Sequence, residues 1–571
     1  MGTEPAIVDS VAQRIVRSLQ RHEINCFFGQ SLPSALVLAC EANGIRQISY
    51  RQENMGGAMA DAYARVSGRI GMVVGQNGPA ATLLVPPMAE AFTTGVPLLA
   101  FVQEVELSTR DRNAFQEFDH FALFHGVTKF IRRLDDPARI EDYVDMAITA
   151  ATSGRPGPVV LLLPADLLRG PSLPAPYPRA TTLGHWPLDR PRPADALVNE
   201  AARLLANARC PVVMAGGGVH YSGAAMALTE VMEAAALPVF TTNMGKGAVA
   251  ETHPLAAGVQ GAINGPTAIA WQTRRLLDKA DVILLIGTRT NQNGTDNWKI
   301  MNRNARFIHL DIDPMEIGRT YEALRLQGDA KATLEALLPA LMACDLTARR
   351  AARAEIEAEL KVAWQAFEAA RATLSHANTA PIRPERVMDA VQSQMIPEMV
   401  IAADASYSSM WVAGQLRGLV PGQRFLLPRG LAGLGWGVPF GLGAAVARPE
   451  APVIAVVGDG GFAHSWAELE TAVRHAIPLV IIVLNNGILG FQKHAETVKF
   501  GTWTSAVMFA DVDHSMIARA VGMSAERITE PGRVGPALKA ALASRRPALL
   551  EIMTDPDAYP PLSLFAAGLE T

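Results

Sequence analysis

Cysteine is scarce in this chain. Four occur in 571 residues, Cys26, Cys40, Cys210 and Cys344, with no C-x-x-C pair among them. Thiols so few and so scattered exclude a disulfide-stapled secreted scaffold and point to a reducing compartment, the cytoplasm. An excess of either charge is also missing: 51 Lys and Arg against 55 Asp and Glu leave a net charge of −4. No long basic run occurs, so the electrostatic footprint of a nucleic-acid binder is absent. Apolar runs such as Ile477–Leu484 reach strand length only, so no membrane span is expected. The opening MGTEPAIVDSVAQRIVRSLQ lacks the basic and apolar regions of a signal peptide and reads as a cap followed by an amphipathic helix. With 49% hydrophobic and 19% charged residues the chain is not disordered, and its length suggests about three or four domains. A large soluble enzyme is the class that remains.

Short Val/Ile-rich runs alternate with longer Ala-rich, helix-patterned stretches; examples are 71–74, 98–102, 159–163, 211–214, 282–286, 454–457 and 479–484. Continuously apolar strands separated by helices predict an α/β protein of doubly wound parallel sheets, covered on both faces. The Pro-rich stretch 170–193 reads as a surface linker. A charged helix followed by SHANTAPIRP, over 345–380, reads as a second connector. These breaks divide the chain into 1–170, 190–342 and 380–571, with the first and third pieces similar in architecture.

In the third piece Gly458-Asp459-Gly460-Gly461 follows the strand PVIAVV. A helix pattern spans 466–475, and a second apolar strand ends in Asn485-Asn486. Ligands of open parallel sheets sit beyond the carboxyl ends of the strands, where Asp459 and Asn486 both fall. Their oxygens suit a hard divalent cation that shares its remaining positions with a diphosphate, which glycine N–H groups can approach closely. This arrangement resembles the thiamine diphosphate (ThDP) motif of decarboxylases, acetolactate synthases and related lyases. The resemblance implies Mg²⁺ held by Asp459, Asn486 and the carbonyl of Ile488. It also implies a diphosphate held by Gly460, Gly461, Tyr407, Ser408 and Gly490, with Ala405, Ser406, Gly458 and Leu489 in the same binding stretches.

The first piece carries RQENMGGAMADAYARVSGRIGMVVGQNGPAAT, similar to the stretch that holds the catalytic acid of this family. By that resemblance Glu53 hydrogen-bonds the cofactor's aminopyrimidine and favours the tautomer that activates the thiazolium carbon. Gln52 and Ala80 depart from the family's His and Gly. The stretch NAFQEFDHFALFHGVTKF resembles a segment of acetolactate synthases and places Gln116 on the substrate side, with Lys129 also matching. SGRPGPVVLLLPADLL (153–168) matches the family's closing stretch of the first domain. LAGLGWGVPFGLGAA (431–445) puts Leu434 in the place of the apolar wedge that bends the cofactor, and the carbonyl of Ala432 opposite its amino group.

Other stretches depart from the biosynthetic acetolactate synthases. FFGQSLPSA (27–35) puts Gln30, Leu32 and Pro33 at the substrate mouth, and GILGFQKHAE (487–496) puts Phe491 and Gln492 beside the substrate, with Ala495 in place of a tryptophan. His464 and His494 are candidate proton carriers, with a surface or structural role as the blander alternative. In the middle piece the Gly cluster of CPVVMAGGGVHYSG is weak evidence for a phosphate loop. TRTNQNGTDNW departs from the flavin-binding pattern and counts against FAD, although Arg289 keeps one contact position. The resemblance implies three ThDP-family domains, pyrimidine-binding, central and diphosphate-binding. It implies a carboligase or decarboxylase acting on a 2-keto acid, working as a homodimer or homotetramer with active sites between subunits. A 2-hydroxyacyl-CoA or oxalyl-CoA lyase, a benzaldehyde-lyase-like carboligase and a catalytically silent ThDP-binding homologue stay open as alternatives.

Overall fold

The computed structural model describes residues 9–173, 177 and 179–565. Residues 1–8 of the expected opening segment, 174–176 and 178 of the Pro-rich linker, and 566–571 at the end of the third piece lie outside the described residues. The opening helix is Val11–Arg21. Ser10 caps it, its side chain accepting from the Gln13 backbone N–H (3.2 Å) while Gln13 accepts in return from the Ser10 N–H (2.9 Å). Its apolar residues Val11, Ile15, Val16 and Leu19 are buried.

Three six-stranded parallel sheets follow one another along the chain. The first contains β1 (Cys26–Phe28), β2 (Arg46–Ile48), β3 (Gly71–Gly75), β4 (Leu98–Glu104), β5 (Phe130–Arg133) and β6 (Val159–Pro164), in the order β2-β1-β3-β4-β6-β5. The central sheet contains β7 (Pro211–Ala215), β8 (Val239–Thr241), β9 (Ala256–Val259), β10 (Val282–Ile286), β11 (Arg306–Asp311) and β12 (Ala323–Gln327), in the order β12-β11-β10-β7-β8-β9. The third contains β13 (Val400–Ala403), β14 (Phe425–Leu426), β15 (Val453–Gly458), β16 (Leu479–Asn485), β17 (Ser524–Ile528) and β18 (Ala548–Met553), in the order β14-β13-β15-β16-β18-β17. The first and third sheets thus share one strand order and the central sheet has another. Alternate residues of the central strands feed two separate cores: Val213, Leu284 and Ile308 in one, Val212, Ile283 and Phe307 in the other. Burial on both faces is why these strands read as unbroken apolar runs.

By contacts the chain forms two compact units. One is Met1–Asp189 with Pro428–Glu450 and Ser465–Ile477; the other is Arg190–Leu427, Ala451–His464 and Pro478–Thr571. Two late segments therefore belong with the first sheet. In that unit the Gly437–Ala447 helix lies on the Glu53–Ser67 helix so closely that a Cβ on Gly443 would stand 2.1 Å from the Met59 carbonyl oxygen. The helix expected over 466–475 is shorter, Glu468–Arg474, because Ser465–Ala467 form a turn first, with the Glu468 N–H bonded to the Ser465 carbonyl. The second connector is one 29-residue helix, Thr347–Ser375. No helix among the described residues is long and apolar enough to cross a membrane.

Candidate active site

In the second unit the strand register sets the chemistry. Gly458 pairs with Leu484, so Asp459 and Asn485 leave neighbouring strands side by side. In the third sheet the chain reverses its winding between β13 and β15, where ligands of such sheets bind. Ala405, Ser406, Tyr407 and Ser408 follow β13, Gly458–Gly461 end β15, and Asn486–Gly490 follow β16. Asp459 is buried and accepts from the Gly487 N–H at 3.1 Å. Burial pushes its carboxyl up to about 6, against the lowering effect of N–H groups of Asp459, Asn486, Gly460 and Gly487. No Lys or Arg pairs with it among the described residues. A buried carboxylate with no cationic side chain, beside the half-buried Asn486, fits a divalent cation with oxygen ligands. No group of three or more His, Cys, Asp or Glu placed to hold a metal ion exists among the described residues; one carboxylate, one amide and one carbonyl do not need one. A strap holds the Ile488 turn: Leu489 N–H donates to Val507 O (2.8 Å) and Phe509 N–H to Gly487 O (2.9 Å).

Tyr407 is buried, and its hydroxyl lies 2.7 Å from His494 Nδ1, inside an aromatic cluster with Phe491, Tyr559 and Phe565. Burial brings His494 down to about 4, so the ring is neutral near pH 7 and packs the helix that begins at Gly490. Ser408 is buried, with its hydroxyl facing the Gly458 turn. Gln492 is exposed and hydrogen-bonds Glu496 at 2.8 Å; His464 is exposed and Ala495 buried.

The first unit holds the remaining candidates. Glu53 is the first residue of its helix and is half-buried. Its carboxylate has no hydrogen bond or ion pair among the described residues. Gln30, Leu32 and Pro33 follow β1, joined through a cis Leu32-Pro33 bond. Gln116 accepts from the Gln76 amide (2.6 Å), so the loop after β3 holds it. Leu434 is 38% exposed, which separates it from the core side chains it otherwise resembles. Gln116, Ser406 and Ala432 have φ of 62°, 62° and 60°. Left-handed backbone at non-glycine residues costs energy and concentrates at functional sites. In the central sheet the glycine cluster serves packing: a Cβ on Gly216 would stand 2.3 Å from Gly287 O, where the loops after β7 and β10 meet.

Three buried carboxylates that anchor these segments were missed in the sequence reading. Glu468 accepts from the Arg51 N–H (3.1 and 3.2 Å), the Gln52 N–H (3.0 Å) and the Thr471 hydroxyl (2.7 Å), fixing the turn before Glu53. Glu90 accepts from the Gly430 (2.7 Å) and Leu431 (2.5 Å) N–H groups, fixing the segment that leads to Ala432 and Leu434. Glu104 binds the Arg133 guanidinium through both oxygens and contacts His120 Nδ1 at 3.5 Å; His120 Nε2 in turn accepts from the Gly78 N–H at 3.3 Å. Burial alone would raise Glu104, but the hydrogen bonds from Arg133 and His120 hold it down to about 2. Each of these residues is one Glu among many in the sequence; for Glu90 and Glu104 the only available signal was a carboxylate within an otherwise apolar helix or strand, and Glu468, first in the helix ELETAVR, carried none.

The fold and these strand-end residues define a cofactor-dependent α/β enzyme, and comparison with known proteins fixes the class. Three family models match: thiamine pyrophosphate enzyme, N-terminal TPP binding domain, over 9–123; the central domain over 198–337; and the C-terminal TPP binding domain over 404–552. The chain belongs to the thiamine pyrophosphate enzyme family and is a ThDP-dependent enzyme. It is 33% identical over 563 residues to a probable acetolactate synthase large subunit of Methanocaldococcus jannaschii, covering 95% of this chain and 92% of that protein. It is 30% identical to acetolactate synthase isozyme 3 large subunit of Escherichia coli K12, covering 94% and 93%. It is also 30% identical to an acetolactate synthase of Mycobacterium leprae, covering 96% and 87%.

Proposed function

We propose that this chain is a ThDP- and Mg²⁺-dependent enzyme that breaks and forms a C–C bond of a 2-keto acid, as an acetolactate synthase-like carboligase or decarboxylase. The observation that carries the reading is Asp459, buried without a cationic partner, leaving the sheet beside the strand that ends at Asn485. Bound ThDP supplies the carbon nucleophile and the electron sink for the cleaved bond. Asp459, Asn486 and the Ile488 carbonyl would hold Mg²⁺; Gly460, Gly461, Tyr407, Ser408 and Gly490 would line the diphosphate. Glu53 would share a proton with the aminopyrimidine, and its lack of other hydrogen-bond or ion-pair partners among the described residues suits that role. Leu434 would offer apolar support to the bound cofactor, and Ala432 its carbonyl. Gln116, held by Gln76, would hydrogen-bond a carbonyl or carboxylate of the substrate. Gln30, Leu32, Pro33, Phe491 and Gln492 border the substrate. The chain divides into a pyrimidine-binding domain (1–170), a central domain (190–342) and a diphosphate-binding domain (380–571). It acts in the cytoplasm as a homodimer or homotetramer whose active sites draw on two copies.

The test is Glu53→Gln on protein prepared with ThDP and Mg²⁺. The variant is expected to keep the cofactor and lose about 10²- to 10⁴-fold in CO₂ release or ligation across a panel of 2-keto acids. Full activity in the variant overturns the mechanism. Wild-type protein that takes up no ThDP in the presence of Mg²⁺ overturns the site assignment.

A further inference from the structure

At the amino-terminal edge of the first sheet, away from the strand ends that carry Glu53, lies a cavity of about 610 Å³. Its lining includes Asn25, Tyr63, Ser67 and three arginines, Arg46, Arg69 and Arg448. The volume falls in the range of small-molecule sites, roughly 300–1,000 Å³. Arg46 opens β2 in register with Cys26 of β1, so both side chains rise from one face of the sheet into the cavity. Arg69 follows the left-handed Gly68 that ends the Glu53–Ser67 helix. It is oriented by Glu23, whose carbonyl accepts from Nη1 (2.7 Å) and whose carboxylate lies 3.3 Å from Nη2. Arg448 caps the Gly437–Ala447 helix. Neither Arg46 nor Arg448 has an ion-pair partner among the described residues, and no carboxylate lines the cavity.

The carbonyl ends of two helices and Glu23 offset part of this charge. At about half a charge for each helix end, roughly one positive unit remains. Guanidinium forks match phosphate oxygens two at a time. We propose that this cavity binds a phosphorylated small molecule of nucleotide size, with Arg46, Arg69 and Arg448 on its phosphates. Its floor is the last turn of the helix that begins with Glu53, so the occupant would be an effector and not a substrate.

The test is calorimetric titration of ATP into protein saturated with ThDP and Mg²⁺, so that the cofactor's own diphosphate site is filled. One ATP per chain is expected to bind, with affinity falling as salt rises and at least about tenfold weaker for Arg46→Ala/Arg448→Ala. Both side chains are exposed, so the variant keeps its fold, checked by circular dichroism. In the wild type, ATP is expected to protect these arginines from phenylglyoxal, as mapped by mass spectrometry. Inorganic pyrophosphate should compete and adenosine should not. Absence of ATP binding, unchanged affinity in the double variant, binding by adenosine as tight as by ATP, or displacement of ThDP by ATP would each overturn the proposal. The cavity does not depend on the proposed 2-keto acid chemistry, so either reading can fail alone.

Discussion

Replacing Glu468 tests whether the turn before Glu53 is held from outside its own helix. The side chain is fully buried, and its oxygens serve two consecutive backbone N–H groups and one hydroxyl. Glu468→Ala leaves both N–H groups without an acceptor, at about 1–3 kcal/mol each, and opens a cavity. A loss of about 3–5 kcal/mol is expected, a large share of the ~5–15 kcal/mol typical of a folded domain. Glu468→Gln keeps an acceptor oxygen toward Arg51 and Gln52 and can donate to Thr471, so about 1–2 kcal/mol is expected. Urea unfolding measures both, and hydrogen exchange at the Arg51 and Gln52 amides locates the effect. Catalysis should fall in both variants, up to about 10²-fold for a displacement near 1 Å. The pH dependence has a definite sign. Burial raises the Glu468 carboxyl above its ordinary 4.5, so its contribution is complete below that value and is lost as pH rises through the raised one. The gap between wild type and Glu468→Gln should therefore narrow with rising pH. An Ala variant within about 0.5 kcal/mol of wild type, with unchanged exchange at the two amides, would refute the anchoring role.

Glu90→Gln should loosen the segment from Gly430 and cost about 1–3 kcal/mol, read as faster exchange at the Gly430 and Leu431 amides. Tyr407→Phe strands His494 Nδ1 in its aromatic cluster and should cost about 1–3 kcal/mol in urea unfolding. A neutral result would mean that water reaches that nitrogen. Glu104 is held down to about 2, so its stabilisation is present above the ordinary 4.5 and is lost as pH falls toward 2. Glu104→Gln should flatten that acid limb of the stability profile.

The sheets were legible because strands buried on both faces are written as uninterrupted apolar runs; 282–286 and 479–484 needed no context. The strand-end pair Asp459 and Asn486 was legible because β15 and β16 are consecutive in sequence and adjacent in space, so chain spacing reports geometry. Glu468 and Glu90 were not legible. Their partners, Arg51 and Gly430, lie hundreds of residues away and contribute only backbone N–H groups, which every residue but proline has. The left-handed backbone at Gln116, Ser406 and Ala432 was equally hidden, since none is the glycine that usually signals it.

The first compact unit is discontinuous, and this sets a condition on how the protein is made. The Glu53–Ser67 helix leaves the ribosome early, but the Gly437–Ala447 helix that covers it follows roughly 380 residues later. At about 5–20 residues per second the wait is on the order of 20–75 s. Throughout that interval the nascent chain carries an uncovered small-residue face, which invites holding by a chaperone and aggregation when translation stalls. The unit is complete only once Ile477 has been translated, although one face of its amino-terminal sheet packs on a core drawn wholly from residues 11–168 and is available long before then.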